Sequence, residues 1–135
     1  MSGASDNLAT ARRYLQAIES AAGADAMAEF FAPEVIVEVF PSIYFPKGSR
    51  SDLSGIRIAY ERGKKVMTSQ RYLVTNAIAS ADQVAMEIEW TGTLAVPFQD
   101  IPAGGQMRAH FAMFLQFKHG KIISQRNYDC YETSA

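Results

Sequence analysis

Between Gly105 and Cys130 side-chain character alternates with period two along two runs joined at Lys118-His119-Gly120. Alternation sustained over that length specifies strands, and a glycine turn between two such runs specifies an antiparallel hairpin. A hairpin cannot stand alone in water, so one face must be covered. The pattern extends backwards. From Gln70 onward the chain reads as strand over 70–79, 84–96, 106–118 and 121–131, broken by Ser80–Gln83, a longer loop around Pro97 to Gly104, and the Gly120 turn. The cover must come from the N-terminal half. There Leu8, Ala11, Leu15, Ile18 and Ala22 recur at helical spacing after a Ser5 or Asp6 cap, and Gly23 suits the helix end. Asp25 opens a short second helix with Met27, Phe30 and Phe31, which Pro33 stops. Val35 to Phe40 is β-rich, residues 41–51 form a loop, and Asp52 opens a third helix with Ile56, Tyr60, Gly63 and Met67 on one stripe. The expected fold is α+β: a single domain over 1–135, residues 1–5 a loose tail, with three N-terminal helices covering one face of a curved antiparallel sheet.

The turn decides which face meets the helices. A type I turn closed by a left-handed Gly120 makes a three-residue hairpin with a bulge. It pairs Phe117 with Lys121 and Phe111 with Asn127. Ala109, Phe111, Met113, Leu115 and Phe117 then share a face with Ile123, Gln125, Asn127 and Asp129. A two-residue turn at His119-Gly120 shifts the register by one and sets His110 opposite Asp129. The bulged form is preferred because it gathers the apolar residues on the helix side.

Charge narrows the partners. The chain has 13 Lys+Arg against 14 Asp+Glu, a net charge of −1, and no basic run longer than two residues. That is no footprint for nucleic acid and no reason to invoke an anionic membrane. No apolar stretch approaches the roughly 20 residues of a membrane span, and the first residues lack a signal pattern, so a cytoplasmic location is expected. The lone Cys130 forbids an intrachain disulfide, and with His110 and His119 it makes no metal site, so neither metal nor cofactor is expected. Six Met, eight Phe, six Tyr and one Trp supply an adaptable interior that suits a small apolar ligand.

A few polar groups stand out against that interior. Asp129 is a carboxylate on a mainly apolar face, where burial raises its pKa and fits it for proton exchange. Asn127 lies two residues away on the same face and can enter the same pocket. Glu38 shares a face with Ile36 and Phe40, while Val35, Val37 and Val39 form the other; if the Phe40 face is inside, Glu38 is a second pocket carboxylate, paired with Asp129. Tyr60, Trp90, Phe111 and Met113 are the expected substrate-contacting walls, with Phe40 and Asn127. The other sheet face carries His110, Ala112, Phe114 and Tyr128, apolar enough to predict a homodimer through it.

Several short segments carry a resemblance: Arg13-Tyr14-Leu15, Phe30-Phe31-Ala32-Pro33-Glu34-Val35, Val37-Glu38-Val39-Phe40-Pro41, Trp90-Thr91-Gly92 and Phe117-Lys118-His119-Gly120-Lys121-Ile122. In their order and spacing, over nearly the whole chain, they resemble the SnoaL-like, ketosteroid isomerase-like branch of the NTF2-like superfamily. The ending Gln125 to Cys130 is similar to that of bacterial SnoaL-like proteins and, more distantly, of the phenazine-biosynthesis proteins. The resemblance implies a cone in which a strongly bent, mostly antiparallel sheet wraps the helices around a pocket, and it implies a homodimer. Tyr14 matches the isomerase tyrosine that donates to a substrate oxyanion. Phe40 and Met113 fall where that enzyme carries its two carboxylates, so its isomerisation mechanism does not carry over. Asp129 matches the late-strand acid/base aspartate of polyketide cyclases, whereas Asn127 stands where the phenazine proteins carry a glutamate.

Two functional classes follow. One is a cofactor-independent enzyme doing acid/base chemistry (cyclisation, isomerisation, dehydration or epoxide opening) on a small apolar carbonyl or hydroxyl compound, with Asp129, Glu38 and Tyr14 as catalytic groups. The other is a non-catalytic small-molecule-binding or oligomerising domain on the same fold. A cavity that fails to reach Asp129 favours the second.

Overall fold

The computed structural model describes residues 3–133. Helix α1 (Ala4–Glu19) and the short α2 (Ala24–Ala28) come first, followed by strands β1 (Phe31–Val39) and β2 (Ser49–Ser51), helix α3 (Leu53–Val66), and strands β3 (Met67–Ala79), β4 (Gln83–Leu94), β5 (Gln106–Lys118) and β6 (Lys121–Tyr131). All six strands form one sheet in the order β2-β1-β6-β5-β4-β3. Every pairing is antiparallel except β1 with β6. The helices sit on one face of this sheet, and two strands separate α3 from the first two helices.

Local chemistry explains the boundaries, including those the sequence misplaced. The third helix opens as expected, with Asp52 Oδ1 accepting from the Gly55 N–H at 2.9 Å. The first begins earlier than expected, at Ala4 behind Gly3, so Ala4 and Ser5 belong to the helix rather than to a tail. It ends earlier too. Ala21 takes the left-handed position at φ 54°, and the Ala22 N–H reaches back to the Ala17 carbonyl at 3.0 Å. Phe31, expected in the second helix, and Pro33, expected to stop it, lie in β1. The Ile122 N–H donates to the Phe30 carbonyl, which draws this segment into the sheet. Pro33 is tolerated because the β1–β6 register is irregular between Phe31 and Ile36.

The β5–β6 hairpin reaches the expected face by a different device. His119 and Gly120 have φ of 52° and 76°, and Lys118 pairs with Lys121 across a two-residue turn. Left uncorrected, that turn would set His110 opposite Asp129 and Phe111 opposite Tyr128. A register shift at Gln116/Phe117 restores the face: Phe117 pairs with Ile122, Gln116 with Ser124, and Ile123 is the extra residue. Phe111 therefore lies opposite Asp129, not Asn127, and Ile122 replaces Ile123 in the core, fully buried. His110 is exposed on the far face, 3.5 Å from Glu132.

The core fills the space between helices and sheet with Tyr14, Met27, Val35, Met86, Ile88, Leu115 and Ile122. Buried Asn7 fastens α1 to the β3–β4 turn by donating to the Ala81 carbonyl at 2.9 Å.

Candidate ligand cavity

The polar side chains of the inner sheet face do not scatter; they line up. Period-two alternation points Gln125, Asn127 and Asp129 of β6 toward the helices. Tyr14 descends onto them from α1, at the helical stripe that also buries Ala11 and Leu15. Its hydroxyl lies 2.7 Å from Gln125 Oε1 and 2.9 Å from the Tyr60 hydroxyl on α3. Gln125 Nε2 donates to Asn127 Oδ1 at 2.9 Å, and Asn127 Nδ2 donates to Asp129 Oδ1 at 3.4 Å, the longest link. Tyr14 has one proton, committed to Gln125, so Tyr60 must be the donor between the two phenols. The result is one line of donors, Tyr60 to Tyr14 to Gln125 to Asn127 to Asp129.

The first four members of this line, Tyr60, Tyr14, Gln125 and Asn127, form one wall of a cavity of about 300 Å³. Val37 and Val39 of β1, Ile56 of α3, and Met67 and Met113 of β3 and β5 supply apolar lining. Tyr72 and Gln70 continue the polar wall on β3, where Gln70 Oε1 accepts from both the Tyr72 hydroxyl and Trp90 Nε1 at 3.1 Å. Glu19 and Lys64 are the charged residues that line it. Glu19 Oε2 also accepts the Tyr72 backbone N–H at 2.7 Å, on the strand that ends the sheet.

Burial sets the protonation of these groups. Desolvation pushes Tyr14 up to about 12, against the lowering effect of its bonds from Tyr60 and to Gln125. Desolvation likewise pushes Tyr60 and Tyr72 well up, with the neighbouring Tyr14 adding to it. All three phenols are neutral donors and acceptors at pH 7. Desolvation raises the Asp129 carboxyl from 3.8 to about 6, partly offset by the Asn127 hydrogen bond.

The expected residues separate into four places. Tyr14, Tyr60, Met113 and Asn127 line the cavity. Trp90 and Phe111 stack on one another at 5.2 Å between ring centres and belong to the core beside it, against Tyr131. Asp129 lies opposite Phe111, behind Asn127, and is not among the cavity-lining residues. Glu38 and Phe40 are on the outer face of the sheet. Glu38 pairs with exposed Arg50 at 3.2 Å, and the Phe40 ring stacks on Tyr128 at 4.6 Å. The parallel pairing of β1 with β6 sets Val37 beside Gln125 and Val39 beside Asn127, so the valine face is the inner one. Glu38 and Asp129 are therefore not brought together as a pair. Tyr72 and Glu19 were missed, and Gln125 was placed on the inner face without a role in the site. Alternation already put Gln125 on the inner face beside Asn127 and Asp129, but its role depends on meeting Tyr14 of α1, which sequence does not show. Tyr72 follows Gln70 at the same spacing. Glu19 had no signal, because its position depends on how the end of α1 meets the β3 edge.

Among the described residues no cluster of three or more His, Cys, Asp and Glu could hold a metal ion, and no helix is long and apolar enough to cross a membrane.

Comparison with known proteins fixes the family. IdmH of Streptomyces antibioticus is 16% identical, with 91% of each chain covered and a TM-score of 0.75. A SnoaL-like polyketide cyclase from Agrobacterium tumefaciens is 20% identical over 89% of this chain and 87% of that one, with a TM-score of 0.65. A protein of ketosteroid isomerase-like fold from Catenulispora acidiphila is 16% identical over 88% of this chain and 83% of that one, with a TM-score of 0.68. At these identities the likeness establishes the fold alone. No curated protein sequence matches. The family model of the SnoaL-like domain matches residues 11–125, from the start of the buried stripe of α1 to the Gln125 that meets Tyr14. The chain belongs to the SnoaL-like family, and its α+β fold is ketosteroid isomerase-like.

Proposed function

We propose that the protein takes a small, mainly apolar carbonyl or hydroxyl compound into this cavity and acts on it by cofactor-independent acid/base chemistry. The observation that carries the reading is the wall of the cavity itself. Two neutral phenols and two amides line one side, with apolar side chains elsewhere, and the line ends at a carboxyl whose pKa burial raises to about 6. A preorganised hydrogen-bonding wall in a desolvated pocket orients a bound oxygen, and it stabilises charge that develops there when a phenolic proton is free to donate. Cyclisation, isomerisation, dehydration and epoxide opening all develop such charge. The SnoaL-like polyketide cyclase among the fold relatives supports the same class. Glu38, turned to the outer face, has no part in it. The outer face, where Phe40, Tyr128 and Phe114 pack together, supports the homodimer.

One observation favours the second reading, a binding domain without catalysis: Asn127 stands between the cavity and Asp129. For Asp129 to exchange a proton with a ligand, the Asn127 side chain must swing aside. If it never does, the carboxyl only orients the amides. Substrate screening across enones, epoxides and polyketide-like esters, followed by Asp129→Asn, separates the two. An acid/base role predicts a loss of about 100-fold or more in turnover. Retained turnover removes Asp129 from catalysis. Ligands that bind without being converted leave the binding reading.

A further inference from the structure

The direction of the donor line has a consequence for what the cavity accepts. Gln125 and Asn127 are carboxamides, whose oxygen and nitrogen ends exchange by a half-turn without change of shape. Both are buried, so neither tolerates a mispaired neighbour: turning one requires turning the other. We propose that the ionisation of Asp129 sets the direction of the line Tyr60–Tyr14–Gln125–Asn127–Asp129, and thereby decides whether the cavity offers a ligand phenolic lone pairs or a phenolic proton.

With Asp129 ionised, the carboxylate only accepts. Asn127 must present its N–H to it, Gln125 must present its N–H to Asn127, and Tyr14 must spend its proton on Gln125 Oε1. Tyr60 then spends its proton on Tyr14, and the lone pairs of Tyr60 are left for the ligand. In that state the cavity selects a hydroxyl compound: an alcohol, enol or phenol. With Asp129 protonated, its O–H donates to Asn127 Oδ1 once both amides turn. Gln125 Nε2 donates to the Tyr14 oxygen, Tyr14 donates to Tyr60, and the Tyr60 proton is released to a ligand carbonyl. Asp129 is thus a positioning residue for ligand class. The selection of ligands rests on the proposed use of the cavity; the reversal of the line does not.

Few other groups can produce the same signal. Tyr72 and Tyr131 are the titratable groups whose charge is felt at Asp129, and burial keeps both neutral through this range. Phe111 faces it across the hairpin, and β1 brings Val39 beside Asn127. Tyr72 is the remaining titratable group felt by the phenol pair, and Glu19 and Lys64 line the cavity. His110 and Glu132 lie together on the opposite sheet face and serve as a control.

The test is a pH titration of protein labelled with carbon-13 at the tyrosine ζ and aspartate γ positions. The Tyr14 and Tyr60 resonances should move with the midpoint of the Asp129 carboxyl. The movement should persist in His110→Gln and vanish in Asp129→Asn. In Asn127→Ala the carboxyl should still titrate while Tyr14 stays still. A protonated carboxyl that keeps accepting from Asn127 through its carbonyl oxygen would leave Tyr14 unmoved in the unmodified protein, and would overturn the proposal. Indanol and indanone, alike in shape, read the ligand side. Their affinity ratio should shift toward the ketone by about tenfold on passing below the midpoint, and not at all in Asp129→Asn. If neither binds while Tyr14 still follows Asp129, the ligand reading fails for compounds of this size and the switch stands.

Discussion

The side-chain amide of Asn127 stands between the cavity and the carboxyl of Asp129, lining the one and donating to the other at 3.4 Å. This placement desolvates the carboxyl without exposing it to a ligand. A carboxylate expected in the pocket is instead a hydrogen-bond partner of the pocket's wall.

Asp129 should make the fold less stable above pH 6. Its folded pKa of about 6 lies above the unfolded 3.8, so between these values the folded state holds more protons. Stability from this group is full below 3.8 and is lost as pH rises through 6. Asp129→Asn should therefore raise the unfolding free energy at pH 8 by about 1 kcal/mol, after discounting for the partial exposure of the carboxyl. It should leave stability near pH 4 almost unchanged. Urea melts at the two pH values measure the difference.

Glu38→Gln should change stability by less than about 1 kcal/mol, because its partner Arg50 is an exposed surface charge. It should leave ligand affinity unaltered. A large loss of affinity would return Glu38 to the site and contradict its outward orientation.

Which strand face points inward was the part least legible in the sequence. Residues 106–118 and 121–131 were recoverable as strands because alternation there is long and one face is plainly apolar. Along β1 both faces carry apolar residues, and period two cannot choose between Val35/Val37/Val39 and Ile36/Glu38/Phe40. The choice is made by the parallel pairing with β6, a contact between segments far apart in sequence. The hairpin turn was misread for another reason. His119 adopts a positive φ that sequence assigns more readily to glycine, and the compensating shift at Gln116/Phe117 has no residue signature. The line from Tyr60 to Asp129 was visible only in fragments, since it joins α1, α3 and β6.

His119→Asn should stabilise the hairpin by about 0.5–1 kcal/mol. Asn-Gly suits a turn whose two central residues both have positive φ, and histidine adopts that region at a cost. A rise of a few degrees in melting temperature checks it.

Gly92→Ala should destabilise by about 1–3 kcal/mol. An added Cβ would fall 2.7 Å from the Trp90 ring and 2.6 Å from Met67 Sδ. Trp90 would have to leave its stack on Phe111, so tryptophan emission should shift along with the melting curve.

The outer sheet face should hold two copies together. Tyr128 is 44% exposed while stacking on Phe40 and meeting the Phe114 ring edge-on. The unmodified chain should sediment as a dimer at micromolar concentration, and Tyr128→Glu as a folded monomer. A monomer in the unmodified protein would refute the dimer.

The most direct test of the ligand cavity is a crystal structure of the protein soaked with indanol. The account predicts the bicyclic ring against Val37, Val39 and Met113, with its oxygen within hydrogen-bond distance of the Tyr60 or Tyr14 hydroxyl. Indanol bound only outside this cavity, or a cavity that stays empty under saturating soaks, would contradict it.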